Sequence, residues 1–445
     1  MSRLRRRSLP YHDDISTYIG WLGNASSICI LDSGKPQSER GRYSIISAEP
    51  ERVITLKPSS YGTFEESLLA AERDIALAMG RLESDDSLPF CGGAIGYLSY
   101  DYGEAIHLGR PPSSPLPLAR VGVFGWAIVV DHHTVQTHLV LQPDCSSHIA
   151  HRMFAGLFDD SAPLAPFHLK GDFSSQLGPE QYRAAFAKVQ SYIQAGDCYQ
   201  INLARDFQAS YSGSPLSAYL RLRSVAAAPF SAYWDFGPAQ LLSFSPERLL
   251  SIDSERRLQT QPIKGTAPRH TDPKADQDAA QALKQSAKNR AENIMIVDLL
   301  RNDLGRSCTP GSVYTEKLLE LQSFRTVHHL VSTVNGQMRE DVGPIRALFN
   351  CFPGGSITGA PKRRAMEIIA ELEPARRSLY CGSVFYISAG GTVDSSITIR
   401  SFVCQDGTIR GWAGGGIVAD SNVDEELREI DEKIGALLSR LRDAE

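Results

Sequence analysis

The feature that most constrains this chain is its supply of short strand-like runs. Residues 27–32, 44–46, 92–101, 121–130, 137–141, 197–205, 230–236, 241–244, 257–260, 326–334, 380–388 and 393–403 are stretches of strand length, many of them bounded by Gly, Pro or acidic residues. Helical spacing is rarer. It occurs at 64–82 through Leu68, Leu69, Ile75, Leu77 and Met79, at 179–195 between Pro179 and Gly196, at 286–304 and at 363–372. A C-terminal helix carries the stripe Leu427, Ile430, Ile434, Leu437 and Leu441. The first 139 residues in particular read as strand with interspersed helix. Between 142 and 176 strand character fades and Pro163, Pro166, Ser174 and Ser175 gather, which sets an expected boundary between a region at 1–150 and another at 177–442.

Composition narrows the function classes. The 445 residues are 42% hydrophobic and 22% charged, as in globular proteins, and the net charge of -5 argues against a nucleic-acid partner. The basic tip Arg3 to Arg7 is followed by a polar run and lacks the apolar core of a signal peptide. No run reaches the roughly 18 apolar residues of a membrane span. The eight cysteines are scattered without a Cys-x-x-Cys pair, so they read as small core residues in a reducing, cytoplasmic setting. The glycine-rich run 92–96 lacks the Gly-Lys-Ser/Thr ending of a phosphate loop, and close backbone packing explains it better.

Several residues invite chemistry. Lys264 stands in Gln261-Pro262-Ile263-Lys264-Gly265-Thr266, an apolar setting in which desolvation would favour a neutral, nucleophilic amine. Most lysines are solvated, and the hexapeptide alone would leave this one on a surface loop. Glu292 shares a helical face with Met295, Ile296 and Leu299, which is costly for a carboxylate unless it is paired, protonated or on a metal. Glu426, Glu429 and Lys433 run beside the C-terminal apolar stripe. Such rows are usually solvated edges, yet three glutamates on two helices suit Mg²⁺, which takes oxygen ligands and keeps several waters. Arg400, placed within the single strand expected at 393–403, suits a carboxylate. Gly414, Gly415 and Gly416 let backbone approach a ligand, and the small-residue loop holding Ser356 and Thr358 opens a helix whose N–H groups favour anions. Glu247 would move protons. His328 and His329 alternate faces, so one of them is expected to be buried. These signals converge on a magnesium-dependent site for a small dianion.

The segments 196–204, 245–248, 262–266, 292–306, 354–362, 380–387 and 414–421 resemble those of the chorismate-utilising enzymes, with the likeness dense from 177 to 438 and looser before it. The resemblance implies an α+β fold, a large mostly antiparallel β-sandwich flanked by helices, to which the N-terminal region adds strands. Within the family, Lys264 marks the branch that exchanges the 4-hydroxyl of chorismate for an amine without losing pyruvate, giving 4-amino-4-deoxychorismate for p-aminobenzoate and folate. Anthranilate synthases, otherwise similar, have alanine there. Anthranilate synthase component I, isochorismate-forming relatives and a non-catalytic tryptophan-binding or glutaminase-stabilising subunit are the other readings.

The resemblance further implies that Lys264 forms a covalent intermediate, that Glu247 protonates the leaving hydroxyl, and that His329 lies near the ring while His328 is dispensable. It makes Glu292 and Glu429 direct Mg²⁺ ligands, with Glu426 acting through water. Arg400 and Tyr380 hold the enolpyruvyl carboxylate, and Lys433 neutralises charge. Two positions depart from the family pattern. Asn289 replaces an acidic residue, which implies weaker metal affinity, and Val423 replaces a proline. No segment resembles a glutaminase nucleophile elbow, so ammonia is expected from a separate class I glutamine amidotransferase. A tryptophan pocket of relatives would involve 31–33 and 229–231.

Overall fold

The computed structural model describes residues 3–34, 41–56, 64–109, 116–158, 163–226, 228–324 and 327–443. Among them, two antiparallel sheets of twelve and ten strands face each other. The larger runs, in order, through Arg5–Leu9, Gln136–Leu141, Trp126–Asp131, Tyr43–Ser47, Cys29–Asp32, Phe230–Asp235, Gln240–Ser245, Ser401–Gln405, Thr408–Ile417, Gln200–Ser212 and Gly359–Ala360, with His168–Ser174 also on Gln200–Ser212. The smaller begins with Ile263–Pro268, Val327–Gln337, Arg257–Thr260 and Arg248–Ile252. It continues through Val393–Ile397, Ser383–Ser388, Gly93–Leu98, Ala119–Phe124 and Arg52–Leu56, with Tyr314–Ser323 also on Val327–Gln337. The α+β sandwich expected from the sequence is the fold observed.

Alternation along the strands explains their nearly continuous apolar runs. Cys29, Ile45, Ala127, Val129, Trp234 and Leu241 join the core between the sheets. Their neighbours Ile30, Ile46, Ile128, Val130 and Leu242 face the other way, into a core shared with Ile430, Ile434 and Leu437 of the helix Val423–Arg442. Each large side chain so buried contributes about 1.5–3 kcal/mol. All eight cysteines are buried and unpaired.

Several expectations need correcting. Residues 121–130 are not one strand: the chain changes sheets at Gly125, where a Cβ would stand 3.0 Å from Glu51 Oε1 and 3.2 Å from Cys145 Cβ. The stretch 142–176 holds the helix His148–Phe154 and the strand His168–Ser174. The histidine strand is Val327–Gln337, Thr326 lying outside the described residues, and both His328 and His329 are buried. In the run 92–101, Gly93–Leu98 is strand, and Ser99 caps a helix, Tyr100–Leu108. The glycines there do serve close packing. A Cβ on Gly93 would lie 2.1 Å from the Ile387 carbonyl oxygen, and one on Gly96 2.7 Å from that of Arg120.

Candidate active site

Two of the expected site residues lie where the chain passes between the sheets. Glu247 lies at one crossing, between Gln240–Ser245 of the large sheet and Arg248–Ile252 of the small one. Arg400 lies at another, between Val393–Ile397 and Ser401–Gln405. It is therefore not within a strand as expected, and its φ of 52° is left-handed. The Phe244 N–H donates to the Arg400 carbonyl at 3.2 Å and ties the two crossings together.

Lys264 comes from the edge strand Ile263–Pro268. Its ladder with Val327–Gln337 pairs Ile263 with Val331 and Thr266 with His329, so one extra residue bulges between them. Gly265 takes a φ of 88° in that bulge, and a Cβ there would stand 2.9 Å from both Asn289 Cγ and Leu283 Cδ1. The helix Ala287–Gly305 can thus close over the bulge. The Lys264 amine donates to the Ser356 carbonyl at 3.3 Å. Burial holds its pKa below the ordinary lysine value, against the pull of Glu292, Glu247 and Glu429.

Glu247 is 6% exposed. Burial pushes its pKa up, opposed by the Lys264 charge, the Ser356 hydroxyl and the Ile263 N–H. The turn Gly355–Ile357 therefore touches both groups, presenting a carbonyl to the lysine and a hydroxyl to the acid. Thr358 behaves differently, since its hydroxyl donates to the Gly354 carbonyl at 3.1 Å within the loop.

Arg400 has no ion pair or side-chain hydrogen bond among the described residues, and burial alone lowers its pKa. A half-buried guanidinium without a counter-charge suits an anion. Tyr380 is buried and stacked on Trp412, with ring centroids 5.9 Å apart, and burial keeps its hydroxyl protonated.

The glycines of Thr408–Ile417 give their missing side chains to neighbours. A Cβ on Gly415 would meet Glu426 Oε2 at 2.6 Å, and one on Gly416 would meet Gln200 Nε2 at 2.9 Å. The Gly414 carbonyl accepts from Lys433 Nζ at 2.9 Å, and the same amine pairs with Glu429 Oε1 at 2.5 Å. Burial raises the Glu429 pKa less than Lys433, Lys288 and Lys264 together lower it. Glu292 and Glu426 are both raised, first by burial, with Glu429 adding repulsion.

The three glutamates do not form a closed cage, for among the described residues no three His, Cys, Asp or Glu side chains stand ready to hold a metal. One observation nevertheless fits a hydrated cation. Glu426 is 3% exposed, and while its Oε1 accepts from Ser421 at 2.8 Å, its Oε2 is buried without any hydrogen bond. Mg²⁺ held by one or two carboxylates and several waters would satisfy that atom.

His329 reaches the lysine strand through Thr266 Oγ1, 2.9 Å from its Nδ1. His328 turns to the other face, to Ser323 Oγ at 2.8 Å and Asp276 at 3.1 Å. Sequence reasoning passed over Gln200 and Asn202. Gln200 is wholly buried with neither amide atom hydrogen-bonded, and Asn202 Oδ1 is likewise orphaned. Their one visible signal was an unusual density of polar residues in an otherwise apolar strand.

A cavity of about 1220 Å³ lies apart from these groups, lined in part by Leu31, Asp32, Ser33, Phe230, Ser231 and Tyr386. Its Asp32 is already held by Arg223 at 2.6 Å and Ser44 at 2.9 Å.

Known proteins are similar to this chain over nearly its whole length. Aminodeoxychorismate synthase component 1 of Escherichia coli K12 is 40% identical over 441 residues, covering 96% of each chain. The protein of the same name from Salmonella typhimurium is 38% identical over 449 residues, covering 98% of this chain and 97% of that one. The crystal structure of anthranilate synthase component I from Streptococcus pneumoniae superposes with a TM-score of 0.77 at 28% identity, over 90% of this chain and 93% of the other. The family model described as chorismate binding enzyme matches residues 26–439, a span that includes every site residue named above, and the chain belongs to that family.

Proposed function

We propose that this protein aminates chorismate, exchanging the 4-hydroxyl for ammonia to give 4-amino-4-deoxychorismate. The observation that carries this reading is the Lys264 amine, desolvated beside Glu247 and held by the Ser356 carbonyl. The names of the full-length relatives support the same reaction.

In the proposed sequence the neutral Lys264 amine bonds to ring C2, the double bonds at C1–C2 and C5–C6 move to C1–C6 and C4–C5, and the C4 hydroxyl leaves as water with the Glu247 proton. Ammonia then bonds to C4, the double bonds return to C5–C6 and C1–C2, and the C2–Nζ bond breaks with its electron pair going back to lysine. The surplus proton on the new ammonium passes to Glu247, so acid and nucleophile are both regenerated. Arg400 and Tyr380 bind the enolpyruvyl carboxylate. Glu292 and Glu429, with Glu426 through water, would hold Mg²⁺, which when bound draws electron density through the ring carboxylate and favours addition at C2.

Ammonia would come from a glutamine amidotransferase partner, a reading supported by the designation "component 1" of the relatives. No helix of the described residues is long and apolar enough to cross a membrane, and the unpaired cysteines support a cytoplasmic setting. The separate cavity at Leu31–Ser33 and Pro229–Ser231 supports a tryptophan pocket.

Mass spectrometry of a reaction containing chorismate, Mg²⁺ and ammonium salt at alkaline pH tests the assignment. Aminodeoxychorismate without pyruvate is expected. Anthranilate with pyruvate would replace this reading with that of anthranilate synthase.

A further inference from the structure

Arg377 belongs to none of the groups above. It follows the helix Lys362–Leu372 and is 2% exposed. Its Nε and Nη2 donate to the two carboxylate oxygens of Glu373 at 2.8 and 2.6 Å. Nη2 also donates to the Asn202 carbonyl at 2.7 Å, and Nη1 to the Ile357 carbonyl at 2.9 Å. The guanidinium carbon lies 4.8 Å from the Tyr100 ring centroid and 5.8 Å from that of Tyr380. Glu373 in turn accepts the Ala204 N–H at 2.8 Å.

A buried ion pair is poor evidence for stability, because desolvation offsets its attraction. What this one does provide is geometry. The planar fork fixes two backbone carbonyls at set angles, which a lysine cannot do, and its Glu373 partner fixes a third backbone point, the Ala204 N–H. One point is Ile357, next to Ser356, whose carbonyl receives the Lys264 amine and whose hydroxyl faces Glu247. The others belong to the strand Gln200–Ser212, which pairs with the glycine run.

We infer that Arg377 is a positioning residue for Lys264: by holding the Ile357 carbonyl it fixes the turn Gly355–Ile357, and with it the group that receives the lysine amine. The inference rests on Lys264 as the reacting amine. Its test compares wild type, Arg377→Lys and the double variant Glu373→Met/Arg377→Met. Three quantities are read: kcat and KM for chorismate consumption, melting temperature, and the rate at which acetic anhydride labels Lys264, mapped by mass spectrometry.

Arg377→Lys is expected to lower kcat about 100-fold with KM little changed, since a misplacement of about 1 Å has that effect. The Lys264 labelling rate should change with it. The double variant, which leaves no unpaired buried charge, should recover melting temperature but not kcat. Recovery of kcat together with melting temperature would overturn the inference. So would a loss of melting temperature with kcat and labelling unchanged. Full amination by Lys264→Ala would instead defeat the underlying mechanism, and the labelling comparison would still decide whether Arg377 fixes Lys264.

Discussion

Glu426 occupies the space that a side chain on Gly415 would need, its Oε2 lying 2.6 Å from the position of a Cβ. The glycine run thus leaves room for a carboxylate. Gly415→Ala should push that carboxylate aside and weaken Mg²⁺ binding by about 10–100-fold, the usual effect of disturbing a ligand's support. Isothermal titration with Mg²⁺ checks this. Unchanged affinity would remove Glu426 from the metal site.

Lys264→Ala should lower amination by about 10³-fold or more, because it removes the attacking group outright. Mg²⁺ affinity should survive, since the proposed ligands sit on two other elements. The readout is product mass together with a metal titration. Full activity in this variant would exclude the covalent route.

The Glu247–Lys264 pair predicts a bell-shaped pH profile, because the reactive form carries one shared proton. Glu247→Gln removes the acid, so kcat should fall by about 10²–10⁴-fold. It also removes a negative neighbour that raises the Lys264 pKa. Residual activity should therefore rise once with pH as the amine loses its proton, at a midpoint below the upper limb of the wild-type bell. A retained fall at high pH would show that another group supplies the acid.

The two adjacent histidines should separate by phenotype. His328, bonded to Ser323 and Asp276, should on replacement by Ala lower the melting temperature and leave kcat of the folded protein within about twofold. His329→Ala should lower kcat. A reversed pattern would move the ring contact to His328.

Lys362 and Asp303 form a 2.7 Å pair with side chains 7% and 1% exposed. Lys362→Met strands a buried carboxylate and should destabilise the fold by about 3–5 kcal/mol, whereas Lys362→Met with Asp303→Leu should recover most of the loss. Urea unfolding distinguishes the two, and equal loss in both would mean that the methionine itself does not fit.

Residues whose environment follows from local pattern were legible in the sequence. Glu292 on a partly apolar helical face is such a case, as is the stripe of the last helix, whereas the hexapeptide around Lys264 by itself points to a surface loop. Residues placed by distant backbone were not. Nothing near Gly125 announces a change of sheet, and Arg400 reads as part of a strand because Ile397 and Phe402 on either side are apolar. The helix Pro273–Gln285 is faint in the sequence because its stripe, Ala275, Ala279, Ala282 and Leu283, is mostly alanine and only Leu283 is buried. Gln200 and Arg377 look like ordinary polar residues until strands from elsewhere enclose them.

The sheet-changing backbone has a consequence for synthesis on the ribosome. Cys29–Asp32 pairs on one side with Phe230–Asp235, and Gly93–Leu98 with Ser383–Ser388. At about 5–20 residues per second, the first of these strands waits on the order of 10–40 s for a partner some 200 residues downstream. For that interval a nascent chain carries an apolar strand with one open edge, which is the state most exposed to pairing with another chain. The region at 1–150 is thus built early and completed late, and a chain halted before residue 230 would leave the Cys29–Asp32 edge open.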